Sequence, residues 1–166
     1  MAVIGGDFPP GPYTVTYKGA SIGLMEGPIR HQQNIIALPI RCSLYSQSVI
    51  DYVVQGGGVF IVLTLKEWNT NAKAAMHPFN ASHGIFPLTG TLINTFFGEL
   101  VLTALAGTPA ATEGPATRTY PIAGILPGHN LDISLGASER NVPLVLTCLP
   151  EQNSTTVGQP KFFVDT

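Results

Sequence analysis

This chain contains four histidines that could bind a metal ion: His31, His77, His83 and His129. His77 and His83 are the closest pair, but no cysteine lies near them and no His-x-x-x-His pattern places two imidazoles on one helix face. Zinc sites need three or four such ligands at characteristic spacings. We therefore expect loop histidines that form hydrogen bonds with the backbone, and we predict no metal and no cofactor.

Three carboxylates, Asp51, Glu67 and Glu99, lie in or beside apolar segments, where a pair of acids could act in general acid–base catalysis. In a chain with only 10 acidic and 8 basic residues, accepting a backbone amide or pairing with an arginine is the simpler role. No serine or cysteine occupies a Gly-x-Ser-x-Gly elbow, and Gly56-Gly57-Gly58 lacks the Lys-Ser/Thr of a phosphate loop. The sequence thus predicts a protein that is not an enzyme.

The composition favours a protein that assembles with other subunits. Of the 166 residues, 45% are hydrophobic and only 11% are charged, whereas about 25% is usual in soluble domains. Obligate interfaces are apolar and depleted of charge at their centres. The net charge of −2 and the scattered basic residues argue against tight nucleic-acid binding. No apolar run reaches the roughly 18 residues of a membrane helix, and we expect Cys42 and Cys148 to be buried free thiols.

Short segments between dispersed glycines and prolines predict an all-β fold. We expect an extended N-terminal arm over residues 1–12 and a single β domain over 13–166. One short helix is predicted within Glu67–His77, with Asn69 or Thr70 as N-cap and Pro78 as the stop; Gly107–Thr119 is predicted to be a loop. The predicted strands are Tyr13–Lys18, Ile22–Met25, Ile29–Ile36, Ser48–Val54, Val59–Lys66, Glu99–Ala106, Tyr120–Leu126, Leu131–Leu135, Val142–Leu149 and Lys161–Val164.

The clearest predicted hairpin joins Ser48–Val54 to Val59–Lys66 through Gln55-Gly56-Gly57-Gly58. Consecutive glycines allow a tight turn and the close approach of another backbone. We therefore expect this turn to press against a neighbouring subunit. Pro39 predicts that Ala37–Tyr45 is an edge strand or a loop.

Two regions resemble the tail tube protein, or major tail protein, of siphophage-type bacteriophages. The first runs from Pro12 to Ile29 and on through Ser48–Trp68, with a "G-x-x-x-G-x-x-E-G" corner followed by "I-D-x-x-x-x-G-G … L-x-E". The second is Asn141–Pro150 with Lys161–Val164, similar to closing strands of the form "x-P-L-x-L-x-C/A-x-P … F-F". Order and spacing carry the resemblance, and residues 79–98 match no part of the pattern.

This resemblance implies a β-sandwich or partly closed barrel with a flanking helix and long loops. It also implies rings, hexameric in that family, that stack into a tube. The expected partners are other copies of the chain, other tail proteins at the tube ends, and double-stranded DNA in transit without specific binding. No membrane partner is expected, and the protein would belong to the virion tail after assembly in the host cytoplasm. Expected interface residues are Gln55, Gly56, Gly57, Gly58, Arg30, Lys66 and Glu67, and expected lumen residues are Gln32, Gln33, Asn34 and Asp51.

Three other function classes remain open at this stage. A tail-terminator, neck-ring or head-decoration subunit would share the assembly chemistry but stop at one ring or cover a capsid lattice. A β-sandwich adhesion module would need exposed aromatic residues near carboxylates, for which Trp68 beside Glu67 is the candidate. A small hydrolase would need a nucleophile and base that the sequence does not supply.

Overall fold

The described part of the chain is built mainly from β-strands, which confirms the all-β prediction. The computed structural model describes residues 12–23, 25, 27–42, 48–66, 69–76, 90, 92–108, 115–129, 141–151 and 161–166. In chain order the elements are β1 Tyr13–Tyr17, β2 Ala20–Ser21, β3 Arg30–Cys42, β4 Ser48–Leu65, α1 Thr70–Ala75, a 3-10 helix Ile93–Thr95, β5 Gly98–Ala104, β6 Thr117–Ile125, β7 Val142–Leu149 and β8 Val164–Asp165.

All eight strands belong to one antiparallel sheet that is rolled but not closed. Their order is β2-β1-β5-β6-β7-β4-β3, with β8 added beside β6. Met25, four residues after β2, forms an isolated bridge with Leu65 of β4. Four residues span at most about 14 Å, whereas five strand spacings in a flat sheet would separate β2 from β4 by about 24 Å. The sheet must therefore curl so that its two ends approach each other, and the edges β2 and β3 remain unpaired with one another.

The hydrophobic core lies on one face of this rolled sheet. β7 shows the alternation most clearly, because Val142, Leu144, Leu146 and Cys148 are buried while the residues between them are more exposed. The same alternation continues in β5 and in the second half of β4. Burying each such aliphatic side chain stabilises the fold by about 1.5–3 kcal/mol, so these strands hold the domain together.

Helix α1 covers part of the core and begins where the sequence predicted. The Asn69 side chain accepts a hydrogen bond from the Ala72 amide at 2.7 Å, as expected of an N-cap. Ala72, Ala75 and the following Met76 are completely buried. The helix is shorter than the predicted segment, and the predicted stop, Pro78, lies outside the described residues.

The predicted glycine turn is wrong. Residues 55–58 lie inside the continuous strand β4, and the chain reverses between Cys42 and Ser48 instead. The edge-strand alternative predicted for Ala37–Tyr45 is confirmed as far as Cys42, because β3 runs through Pro39 as an edge strand of the sheet, where proline is tolerated. Three consecutive glycines indicated a turn, but here Gly57 allows a close approach between two paired strands, described below.

Smaller differences concern strand ends. β6 begins at Thr117, inside the predicted loop over Gly107–Thr119, and β8 is Val164–Asp165 rather than Lys161–Val164. Both boundaries are decided by pairing with strands that are distant in sequence, and the local composition does not indicate this pairing. The predicted arm over residues 1–12, apart from Pro12, lies outside the described residues. So do the predicted strand Leu131–Leu135 and the pair Glu67 and Trp68. Cys148 is a buried free cysteine, as predicted.

Candidate functional site

The most exposed apolar surface of the described chain is a hairpin that extends beyond the body of the domain. β4 pairs with β7 only from Val59 to Leu65, whereas it pairs with β3 from Ser48 to Val62. We call residues 35–42 and 48–57 the distal arm, and residues 30–34 and 58–62 the hairpin base. Nine of the eleven exposed large hydrophobic residues found in the described part lie in the distal arm. They are Ile35, Ile36, Leu38, Ile40, Val49, Ile50, Tyr52, Val53 and Val54.

Both faces of the distal arm are apolar. His31 and Gln33 pair with Ile61 and Val59, so odd-numbered residues of β3 continue the face that carries the core, since paired residues point to the same side of a sheet. This core-side face presents Ile35, Val49, Tyr52 and Val54 in the distal arm. The opposite face presents Ile36, Leu38, Ile40 and Val53.

Two bulges shift the register within the arm. Ile36 pairs with Gly56 but Ala37 with Val54, which leaves Gln55 without a partner residue opposite it; Ile50 is the extra residue of the second bulge. A bulge bends and twists its strand. These two bulges also break the alternation of β4: the bulge at Gln55 lies where the arm leaves the sheet, and the bulge at Ile50 lies near the far end of the arm.

The three glycines at the junction of arm and base differ in what surrounds them. A Cβ atom on Gly57 would lie 2.6 Å from the backbone oxygen of Asn34 on the paired strand. A Cβ on Gly58 would lie 3.0 Å from the Asn34 Oδ1 atom, whereas a Cβ on Gly56 would meet nothing within 4 Å. Gly57 is therefore required by its own hairpin, and Gly56 is the only one of the three with open space beside it.

The predicted lumen residues divide between the two faces of the hairpin. Gln32, Asn34 and Asp51 lie on the opposite face, whereas Gln33 lies on the core-side face and its Nε2 atom is 2.7 Å from His31 Nε2. All four are exposed in the isolated chain. Their contact with a lumen remains a prediction, and one wall of a tube cannot present all four.

Two of the predicted charged interface residues lie in or just beyond the hairpin base. Arg30 is exposed and paired in register with Val62, and Lys66 is exposed directly after β4. Glu67, the third predicted charged interface residue, lies outside the described residues. The structure thus brings Arg30 and Lys66 to the same end of the hairpin.

A polar and aromatic cluster fixes the hairpin base to the body of the domain. His31 Nδ1 lies 2.7 Å from the Tyr120 hydroxyl, and the Phe163 ring packs edge-on against the imidazole with 5.2 Å between centroids. Because the Gln33 amide nitrogen is a donor, His31 Nε2 accepts and the ring proton lies on Nδ1, which donates to Tyr120. Burial raises the pKa of Tyr120 well above its usual value, so the phenol stays protonated.

Arg118 and Asp165 attach the C-terminal strand to the same cluster. Arg118 is 3% exposed, and its Nε and Nη2 atoms donate to the two Asp165 oxygens at 2.5 and 2.6 Å. Its guanidinium also lies 4.5 Å from the centroid of the Phe163 ring. Burial alone would lower the pKa of Arg118, but the hydrogen bonds and charges of Asp165 and Tyr120 together outweigh it and the pKa is raised. Sequence reasoning missed this cluster, because its members come from β3, β6 and the C terminus.

The described residues contain no group of three or more His, Cys, Asp or Glu side chains placed to hold a metal ion. Cys148 is buried in the core, which raises its pKa to about 12, so its thiol is not a nucleophile at neutral pH. Within the same residues, no helix has the length and apolar character needed to cross a membrane.

No family model matches this chain, and no curated protein is detectably similar to it in sequence. The candidate site therefore rests on the geometry and composition described above.

Proposed function

We propose that this chain is a structural subunit of a bacteriophage tail tube, a virion protein that assembles with copies of itself into stacked rings. The observation that carries the proposal is the distal arm, an apolar two-stranded hairpin standing clear of its own domain. A two-stranded hairpin alone is at best marginally stable in water. An arm of this composition is expected to be covered in the functional state.

The edges of the arm support assembly with other copies. Within the described residues, no strand pairs with the outer edge of β3 or with the second edge of β4 before Val59. Open edges invite pairing with another chain. Rotation about a ring axis preserves strand direction along that axis, so β3 of one copy and β4 of the next would run antiparallel. One subunit therefore carries both halves of a contact that can close into a ring.

The charge distribution is compatible with DNA in transit. On the opposite face of the hairpin base, β3 carries Arg30, Gln32 and Asn34 and β4 carries Phe60 and Val62, so Arg30 is the single charge on that face. A lumen that conducts DNA without holding it should not be basic, because cations bind phosphate through counterion release. The resemblance of residues 12–68 and of the closing strands to tail tube proteins points the same way.

Electron microscopy of the purified chain at rising concentration tests the proposal. Tubes of stacked rings would support it. Single rings that do not stack would favour the terminator or neck-ring subunit, and assembly only on a capsid lattice would favour a head-decoration protein. Monomers at all concentrations would refute self-assembly, and glycan binding by such monomers would favour the adhesion module.

A further inference from the structure

We infer that the distal arm is covered on both of its faces by other copies of this chain, and that the arm itself does not form the wall of a lumen. This inference deepens the proposed function and depends on it for the identity of the partner. It concerns a different part of the hairpin from the polar base, where residues suited to water are found.

The first argument is the distribution of apolar side chains. A strand with one face toward water alternates between apolar and polar residues, and a strand buried on both faces is apolar throughout. In the distal arm, Ile35 is 74% exposed on the core-side face and Ile36 is 57% exposed on the opposite face. Val54 and Val53, on the paired strand, repeat the pattern at 67% and 51%. Each face of the arm thus presents large apolar side chains, and the charges of the arm are limited to Arg41 on the core-side face and Asp51 on the opposite face.

The area of the arm supplies a large part of a specific interface. Residues 35–42 extend for about 26 Å at 3.3 Å per residue, and two strands are about 10 Å wide. Each face therefore offers about 260 Å², and both together offer roughly 500 Å² per copy. This is more than half of the ~800 Å² that each partner buries in a standard interface.

The open edges and charges of the arm argue for protein and against lipid as the cover. Unpaired backbone N–H and C=O groups cost several kcal/mol each in hydrocarbon, so open sheet edges do not occur there. Another copy of this chain can pair with those edges. Asp51, the one acid of the arm, accepts a hydrogen bond from the Tyr52 amide at 2.7 Å, which compensates its charge locally in a protein interface. Because few residues of this chain are charged, the surface of a second copy can cover the apolar arm without burying many charges.

Geometry also separates the arm from the lumen. Six two-stranded arms alone would close a 12-stranded barrel with a backbone diameter of about 24 Å. Side chains fill about 5 Å on each side, half the spacing of packed sheets, which leaves about 14 Å. The grooves of B-DNA are about 8.5 and 7.5 Å deep, so the duplex is wider than about 16 Å and would not pass. A DNA-conducting wall must therefore use strands of the body as well as the hairpin base.

Charged substitutions on each face test the inference. Ile35→Asp places a charge on the core-side face and Ile36→Asp places one on the opposite face. Leu105→Asp is the matched control, because Leu105 is also exposed, at 50%, but lies outside the hairpin. Assembly is followed by sedimentation velocity across a concentration series. Circular dichroism confirms the fold, which neither substitution should disturb because both side chains are exposed.

We expect both arm variants to raise the concentration needed for assembly at least tenfold, and the control to assemble like the unmodified chain. If either arm variant assembles at the unmodified concentration, that face is in water and the inference is overturned. Ile35→Ser and Ile36→Ser provide the same comparison if the charged variants aggregate. Co-flotation of the unmodified chain with phosphatidylcholine vesicles would identify lipid as the cover and also overturn it. If the unmodified chain forms rings that never stack, the tube proposal fails while the two-face result still stands.

Discussion

The glycine cluster gives the sharpest local test of the hairpin geometry. Alanine at position 57 would place Cβ 2.6 Å from the Asn34 backbone oxygen, about 0.4 Å inside the 3.0 Å that real contacts respect. Forcing atoms into occupied space costs about 1–3 kcal/mol. Alanine at position 56 meets nothing within 4 Å and should stabilise the strand by about 0.4–1 kcal/mol, because it restricts the unfolded chain. The two variants should thus change arm stability in opposite directions.

Hydrogen–deuterium exchange resolves this difference, because the arm can open without unfolding the core. A loss of about 1.4 kcal/mol increases the open population tenfold. We expect peptides covering residues 35–42 and 48–57 to exchange several-fold faster in Gly57→Ala. The same peptides should exchange at the unmodified rate or slower in Gly56→Ala, and β7 peptides should be unchanged in both.

Equal exchange in Gly57→Ala and the unmodified chain would refute the close approach to Asn34 as the reason for the glycine. Equal acceleration in both variants would show that glycine is needed at both positions for another reason. A neighbouring subunit is tested at Gly56, where Gly56→Val should leave the monomer folded. Loss of assembly by that variant would show that a second copy approaches the junction.

Three further predictions concern the C terminus, the core thiol and the lumen. Asp165→Asn removes the charge partner of the buried Arg118 and should lower the free energy of unfolding by about 1–3 kcal/mol. Breaking a fully buried pair costs about 3–5 kcal/mol, and we expect less here because Asp165 is 37% exposed to solvent. Urea denaturation measures this loss, and an unchanged midpoint would contradict it. Burial raises the pKa of Cys148 from 9.0 to about 12. The contribution of this thiol to the free energy of unfolding is therefore complete below pH 9 and is lost as the pH rises toward 12. The loss is at most about 1.4 kcal/mol per pH unit. Cys148→Ala should flatten the decline measured between pH 9 and 11, and an equally steep decline would assign it to other groups. Particles assembled from Asn34→Lys should eject DNA more slowly than those from Gln33→Lys, on the opposite side of the strand; the reverse order would assign the lumen to the core-side face.

Where side-chain chemistry is local, the sequence was sufficient to predict the structure. Val142–Leu149 alternates along its whole length and forms β7, because one face meets the core and the other does not. Asn69 was predicted as one of two N-caps for the same kind of reason, since a cap needs only a side chain and an amide three residues away.

The arm could not be predicted in the same way, because its geometry depends on pairing between distant residues. Three glycines in a row normally indicate a turn, and nothing local shows that Gly57 instead makes room for the Asn34 carbonyl. The bulges at Ile50 and Gln55 shift the faces of β4 partway along the strand. Apolar residues also lie on both faces, so β4 has no regular alternation of apolar and polar residues there. Arg118 likewise lies in a segment that was predicted to be a loop. Its partner Asp165 is distant in sequence, so no local pattern indicates that Arg118 belongs to a strand.

Sedimentation of an arm-shortened chain tests the central claim most directly. Replacing residues 35–57 by Asn-Gly would join Asn34 to Gly58 through a two-residue turn, which suits the twist of paired strands. The pairing of β4 with β7 begins at Val59 and would be preserved. We predict that this variant folds with an intact core and stays monomeric at concentrations where the full chain assembles. Assembly of the shortened chain at the same concentration, into particles of the same size, would contradict the claim that the distal arm is the assembly interface.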